Sequence, residues 1–192
     1  MVHIKKWSGG MRRFLTVVFI LICGIHGLYA GGDDIKTGSE APTFSLPDLN
    51  QKYISLRDYC GEELRKPWLN KNKYVVLISF FATWCKPCME ELPHLEQVAE
   101  KYKDQQVKIF LIDVGEDLQK VSDFVSRKKI SLPVLIDRYQ TVAEKYDALT
   151  LPRLFVIDSV GVIRKENKGF SDPETFELEI TSLIDSLLVQ KP

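Results

Sequence analysis

Tyr74-Val75-Val76-Leu77-Ile78-Ser79-Phe80-Phe81-Ala82-Thr83-Trp84-Cys85-Lys86-Pro87-Cys88 runs an apolar stretch straight into two cysteines two residues apart. The near-continuous apolar run, Tyr74 to Phe80, reads as a central strand covered on both faces. Met89 to Lys103 is helix-compatible, with Leu92, Leu95, Val98 and Ala99 at helical spacing. Both sulfurs are therefore expected at a strand-to-helix junction. Unpaired amides and the positive dipole end at a helix start stabilise a thiolate, which lowers its pKa below the free value of about 8.5. Cys85 is expected to be the exposed attacking nucleophile and Cys88, on the same helical face, the inward resolving thiol. Pro93 cannot donate to Met89 and crowds its carbonyl, so a kink is predicted there.

Working outward, Val107 to Val114 reads as a second buried strand, followed by a helix from Leu118 to Arg127. Val134 to Ile136 reads as a short strand and Thr141 to Tyr146 as a short helix. Leu154 to Ile157 and Val162 to Arg164 flank the turn signal Asp158-Ser159-Val160-Gly161, an antiparallel hairpin. Ser171-x-x-Glu174 with Pro173 is a capping-box signature opening a last helix, whose apolar face is Phe176, Ile180, Leu183, Ile184 and Leu187. Upstream, Phe44, Leu46 and Tyr53 to Leu56 read as two short strands around Pro47-Asp48-Leu49-Asn50. The sum is an α/β three-layer sandwich of thioredoxin architecture, a mixed central sheet flanked by helices with an N-terminal β-hairpin.

At 192 residues and 45% hydrophobic content the chain can bury one ordinary core. Its 26 basic residues balance 26 acidic ones, and no basic stripe carries interleaved aromatics, so nucleic acid is not an expected partner. Lys5, Lys6, Arg12 and Arg13 precede the apolar run Phe14 to Ile25, and Ala30, Gly31 and Gly32 follow, the layout of a secretory signal. Residues 1–30 are expected to be that signal, 31–40 a polar linker and 41–192 the folded domain. Cleavage after Ala30 is favoured over an uncleaved anchor, which the apolar character up to Ala30 leaves open. Either way the domain is expected on the oxidising side, in the periplasm or at the outer face of the cytoplasmic membrane. Beyond the leader remain Cys60, Cys85 and Cys88, an odd count in which the close pair is the natural disulfide former. Cys60 reads as a small buried hydrophobe.

The segments Phe80 to Cys88, Glu90-Glu91-Leu92-Pro93, Asp113-Val114-Gly115-Glu116 and Leu151-Pro152-Arg153-Leu154-Phe155-Val156-Ile157-Asp158 closely resemble the exported TlpA/ResA-like branch of the thioredoxin superfamily. The likeness runs from Ala41 to the C-terminus. It implies thiol-disulfide exchange outside the cytoplasm in the reducing direction, on disulfide-containing proteins. A membrane-bound thiol protein would supply the electrons, and cytochrome c maturation is the setting. By the same resemblance, Glu91 acts as proton acceptor or donor for Cys88, and Glu116 lines the same cavity. The Leu151–Pro152 bond is cis, and the Leu151 backbone pairs with an extended substrate segment beside Cys85. Phe81 stands where the family often has Trp, and Ser79 stands where thioredoxin has a buried Asp. A charged insertion between Gly61 and Lys73 bears on substrate range.

Trp84 is expected as an exposed aromatic platform for substrate, and Lys86 and Pro87 as residues that tune the pair. Lys86 reads equally as a solvated side chain. No cofactor is expected beyond the redox-active Cys85–Cys88 disulfide. A zinc site needs about four ligands, and His94 is the one histidine after the leader, so no metal is expected. The resulting expectation is an exported protein-disulfide reductase acting as a monomer. The alternatives are a non-catalytic module that holds peptides or thiols in the groove at Trp84 and Pro152, and a thiol peroxidase, whose relatives use a different cysteine motif.

Overall fold

Asp48 turns the chain between β1 (Ser45–Pro47) and β2 (Tyr53–Ser55). Its carboxylate accepts the amides of Asn50 at 2.8 Å and Lys52 at 2.9 Å, and the two strands pair antiparallel. After a 3₁₀ turn, Leu56–Asp58, the apolar run forms β3 (Val75–Phe81), buried along its whole length. The coordinates are a computed structural model that describes residues 37–189. The signal expected over 1–30 and the linker up to residue 36 lie outside the described residues.

From β3 the chain passes through α1 (Lys86–Lys101) to β4 (Val107–Val114), then through α2 (Leu118–Lys128) to β5 (Val134–Asp137). These three strands are parallel. α3 (Thr141–Lys145) leads to β6 (Arg153–Ile157) and β7 (Ile163–Lys168), which add antiparallel on the other side of β3, and α4 (Pro173–Val189) closes the chain. The sheet order is β5-β4-β3-β6-β7, with β3 at its centre.

Two right-handed crossovers stepping the same way place α1 and α2 on one face. Val75, Leu77 and Phe81 pack there with Leu95 and Val98 of α1, Phe124 of α2 and Ile180 and Ile184 of α4. Val76, Ile78 and Phe80 point to the opposite face and pack with Leu46, Ile54, Val142 and Ala143 from the hairpin and α3. This is the expected three-layer α/β arrangement. No helix among the described residues is long and apolar enough to cross a membrane.

One local expectation needs correction. Asp172, not Ser171, caps α4: its carboxylate accepts the Thr175 amide at 3.2 Å and the Thr175 hydroxyl at 2.7 Å. Pro173 is the first helical residue, so the residue before it holds the position from which a side chain reaches the third amide. The insertion between Gly61 and Lys73 does not wall the redox site. The Gly61 amide donates to Ser159 at 3.2 Å, in the turn between β6 and β7. The loop therefore sits where β3 begins, about 20 Å of strand away from where β3 delivers Cys85. The chain also joins the sheet ahead of Ala41, the Gly38 amide donating to Ile163 at 2.7 Å and the Ala41 amide to Gly161 at 2.8 Å.

Candidate redox site

β3 ends at Phe81, and residues 82–85 turn into α1. Cys85 is the N-cap: it has an extended backbone, its amide donates to Ala82 at 3.0 Å, and its sulfur accepts the Cys88 amide at 3.3 Å. Pro87 falls in the first helical turn, where a missing N–H costs nothing. The two cysteines form a disulfide with Cα atoms 5.3 Å apart. Neither is exposed in this state, Cys85 retaining 4% of its surface and Cys88 3%. The expected exposure of Cys85 therefore fails for the disulfide form. Capping draws its sulfur back over the first helical turn, the disulfide holds it there, and Leu151 packs against the same cluster.

Glu91, three residues past Cys88, is 1% exposed. The Ser79 hydroxyl on β3 donates to its Oε2 at 2.7 Å, while Oε1 has no partner among the described residues. Burial pushes the carboxyl up to about 7, against the smaller opposing effect of the Ser79 bond. A carboxyl in that range can both take and give a proton near neutral pH.

A second pair of acids closes the other side. Asp113, at the end of β4, pairs in register with Phe81. Gly115 follows with φ of +82°, a left-handed turn that brings the Glu116 amide back to Asp113 Oδ2 at 3.0 Å. Glu116 Oε2 accepts the Thr83 amide, and its Oε1 accepts the Thr83 hydroxyl at 2.8 Å and pairs with Lys120. Burial works against the charge on Glu116, but Lys120 and then the two Thr83 bonds outweigh it and hold the carboxyl below its ordinary value. Burial, the larger influence, holds the Asp113 carboxyl above its ordinary value, against the bond from the Glu116 amide.

β6 runs antiparallel to β3 with Arg153 opposite Phe80, so the register continues with Pro152 level with Phe81 and Leu151 level with Ala82, where the chain turns toward Cys85. The Leu151–Pro152 bond is cis, and the Pro152 carbonyl accepts the Gly169 amide at 3.0 Å. Arg153 is buried and donates to Glu166 at 2.9 Å and to the Asp147 carboxylate at 3.2 Å. Trp84 is 69% exposed next to the buried disulfide. Lys86 is solvated, its amine 3.9 Å from Glu90 at helical spacing.

The structure thus gathers Cys85, Cys88, Glu91, Glu116, Leu151 and Pro152 at one end of the sheet. Sequence reasoning missed Thr83 and Asp113 as working residues and named Ser79 only as a departure. A lone acid ending an apolar strand and a lone serine inside one were the available signals. Cys60 is the free cysteine among the described residues, buried, with its thiol pushed up to about 12 chiefly by that burial. Among the described residues no group of three or more His, Cys, Asp or Glu is placed to hold a metal ion.

The family model of the AhpC/TSA family matches residues 37–166. Thiol-disulfide oxidoreductase ResA of Bacillus thuringiensis subsp. konkukian (strain 97-27) is 32% identical over 170 residues, 85% of this chain and 91% of its own. The protein of the same name from Bacillus subtilis (strain 168) is 32% identical over 158 residues, 80% of this chain and 82% of its own. Among solved structures, a thiol:disulfide interchange protein from Bacteroides sp. is similar in fold, with a TM-score of 0.64 at 20% identity over 79% of this chain and 92% of that one.

Proposed function

The chain belongs to the AhpC/TSA family, and from that membership and the geometry of its cysteine pair we propose an exported thiol-disulfide oxidoreductase that reduces protein disulfides. The observation that carries this reading is the disulfide between Cys85 and Cys88, capping a helix whose next turn presents a buried acid. Its relatives named thiol-disulfide oxidoreductase ResA support it.

In the reduced chain the Cys85 thiolate attacks one sulfur of a partner's disulfide. That forms a mixed disulfide and releases the partner's other sulfur as a thiolate. Glu91 takes the Cys88 proton, and the Cys88 thiolate then attacks Cys85 Sγ. The partner leaves as a dithiol and two electrons have passed from the chain. A membrane-bound thiol protein returns them by the same exchange in reverse. Trp84 and the Leu151 backbone hold the partner's extended segment. The chain acts as a monomer outside the cytoplasm with its leader removed, and cytochrome c maturation is the setting that the sequence resemblance to the TlpA/ResA-like branch implies.

Cys88→Ala tests this directly. The variant keeps the attacking sulfur and lacks the resolving one, so it should accumulate mixed disulfides with its substrates in cells. A peptide-holding module would accumulate none. Direction is tested by the equilibrium potential against glutathione: a value near the strong oxidants, about −120 mV, counts against a reductase.

A further inference from the structure

β3 carries a single polar side chain. Alternation puts residues 75, 77, 79 and 81 on the face covered by α1, and Val75, Leu77 and Phe81 join the core there. Ser79 stands in that apolar row, 1% exposed, flanked in register by Leu111 and Leu154. A buried hydroxyl is unfavourable there unless it is bonded. Its bond is the 2.7 Å contact to Glu91 Oε2.

We infer that Ser79 is a positioning residue, whose hydroxyl holds one oxygen of Glu91 against the sheet and leaves Oε1 free to exchange a proton with Cys88. The inference rests on the reading of Glu91 as proton acceptor for Cys88. A glutamate is a flexible side chain, and fixing one oxygen removes most of that freedom. A hydroxyl suits the task because it can donate to a carboxylate and can also accept from a carboxylic acid. The anchor therefore survives both protonation states through which Glu91 passes in each cycle. A lysine or a backbone amide, donors only, would favour the charged state.

The other ionisable groups on this layer are Cys88 on α1 itself and Asp113 on the same face of β4, with Glu116 and its partner Lys120 beyond. α2 contributes apolar Val121 and Phe124, and α4 contributes apolar Phe176, Ile180 and Ile184. The acids of α4 that touch α1, Glu177 and Asp185, are bonded to His94 and Tyr102.

The test uses the reduced full-length chain carrying Cys23→Ser, which leaves the buried Cys60 as the one thiol besides the reacting pair, and 5,5′-dithiobis(2-nitrobenzoate). Attack by Cys85 releases one thionitrobenzoate, and resolution by Cys88 releases a second. The rate of the second phase is followed against pH. Ser79→Ala should move the acid limb of that profile upward by about one pH unit, slowing the phase about tenfold on the limb. Ser79→Thr, which keeps a hydroxyl, should restore the parental limb, and Ser79→Ala should add nothing in a Glu91→Gln background. A Ser79→Ala profile superimposed on the parent's, with Glu91→Gln shifted, overturns the inference alone. Equal slowing of both phases, without movement of the limb, also overturns it. A Glu91→Gln profile superimposed on the parent's overturns the reading of Glu91, and this inference with it.

Discussion

The Cys85 sulfur accepts the Cys88 amide at 3.3 Å, so the residue that caps α1 is also one half of its disulfide. Reduction leaves that amide aimed at a thiolate. An N-cap acceptor with the helix dipole behind it should hold the Cys85 thiol below the free value of about 8.5. Iodoacetamide rates on the reduced chain, measured against pH with Cys60 as the buried reference, should show one thiol reacting well below that value. A Cys85 titrating at or above it would remove the basis of the proposed attack.

Glu91 sets a second expectation, about stability. Its carboxyl is raised from 4.5 to about 7 by burial. Between those values the folded chain holds the proton and the unfolded chain has lost it, so stability falls as pH rises from about 4.5 to about 7. Above that window this one group leaves the fold weaker by on the order of 3 kcal/mol. Glu91→Gln removes the titration. Urea unfolding of the oxidised forms should therefore show the parent losing ground to the variant between pH 5 and pH 8. A parent that gains on the variant over that interval would mean the carboxylate, not the acid, is favoured inside.

Strand positions were legible in the sequence because β3, β4 and β6 are apolar at nearly every position, a pattern that sheet burial on both faces demands. The cysteine pair and Glu91 were legible because helical spacing fixes their common face. Contacts between distant segments were not. Nothing in local pattern says that Glu116 would reach Thr83, or that Ser79 would find Glu91, since each bond depends on sheet register and on where a turn such as Gly115 redirects the chain. The burial of Cys85 was missed for a related reason: its place in the apolar cluster formed with α1, α2 and α4 is not visible in a helix-start argument.

Thr83 stands two residues before Cys85, and Glu116 takes both its amide and its hydroxyl. Glu116→Ala takes the acceptor from a half-buried amide and should cost up to about 1–3 kcal/mol. It should also slow the Cys85 reaction by loosening the turn that aims it. Glu116→Gln, which keeps an acceptor for the amide, should lose less, and Lys120→Ala, at an exposed partner, least of all. Chemical denaturation of the three variants checks the ranking, and a Glu116→Gln as damaged as Glu116→Ala would show that charge, not acceptor geometry, holds the turn.

Arg153 ties β6 to Glu166 of β7 and to Asp147, in the segment between α3 and β6. Removing a buried guanidinium leaves the mostly buried Glu166 with Lys168, an exposed amine 3.6 Å away, as its remaining cation, so Arg153→Ala should destabilise the fold by up to about 3–5 kcal/mol. Arg153→Ala with Glu166→Gln should recover part of that loss. Calorimetry of the single and double variants decides it, and strictly additive losses would mean that the pair is not coupled.

The insertion offers a contrast between stability and chemistry. Arg65 donates to both oxygens of Asp58 at 2.7 and 2.9 Å, and Asp58 is 1% exposed. A buried carboxylate deprived of its cation is unfavourable, so Arg65→Ala should lower the melting temperature, and Asp58→Asn in that background should restore much of it. Replacing residues 66–69 by a glycine-serine link of equal reach keeps Arg65 and also Asn70, whose side-chain amide donates to the Asp58 carbonyl at 2.9 Å, and should leave the fold near parental stability. Because the loop sits about 20 Å of strand from Cys85, the same replacement should leave the alkylation rate of that thiol unchanged. A large change in that rate would mean that the two ends of the sheet are energetically connected through β3.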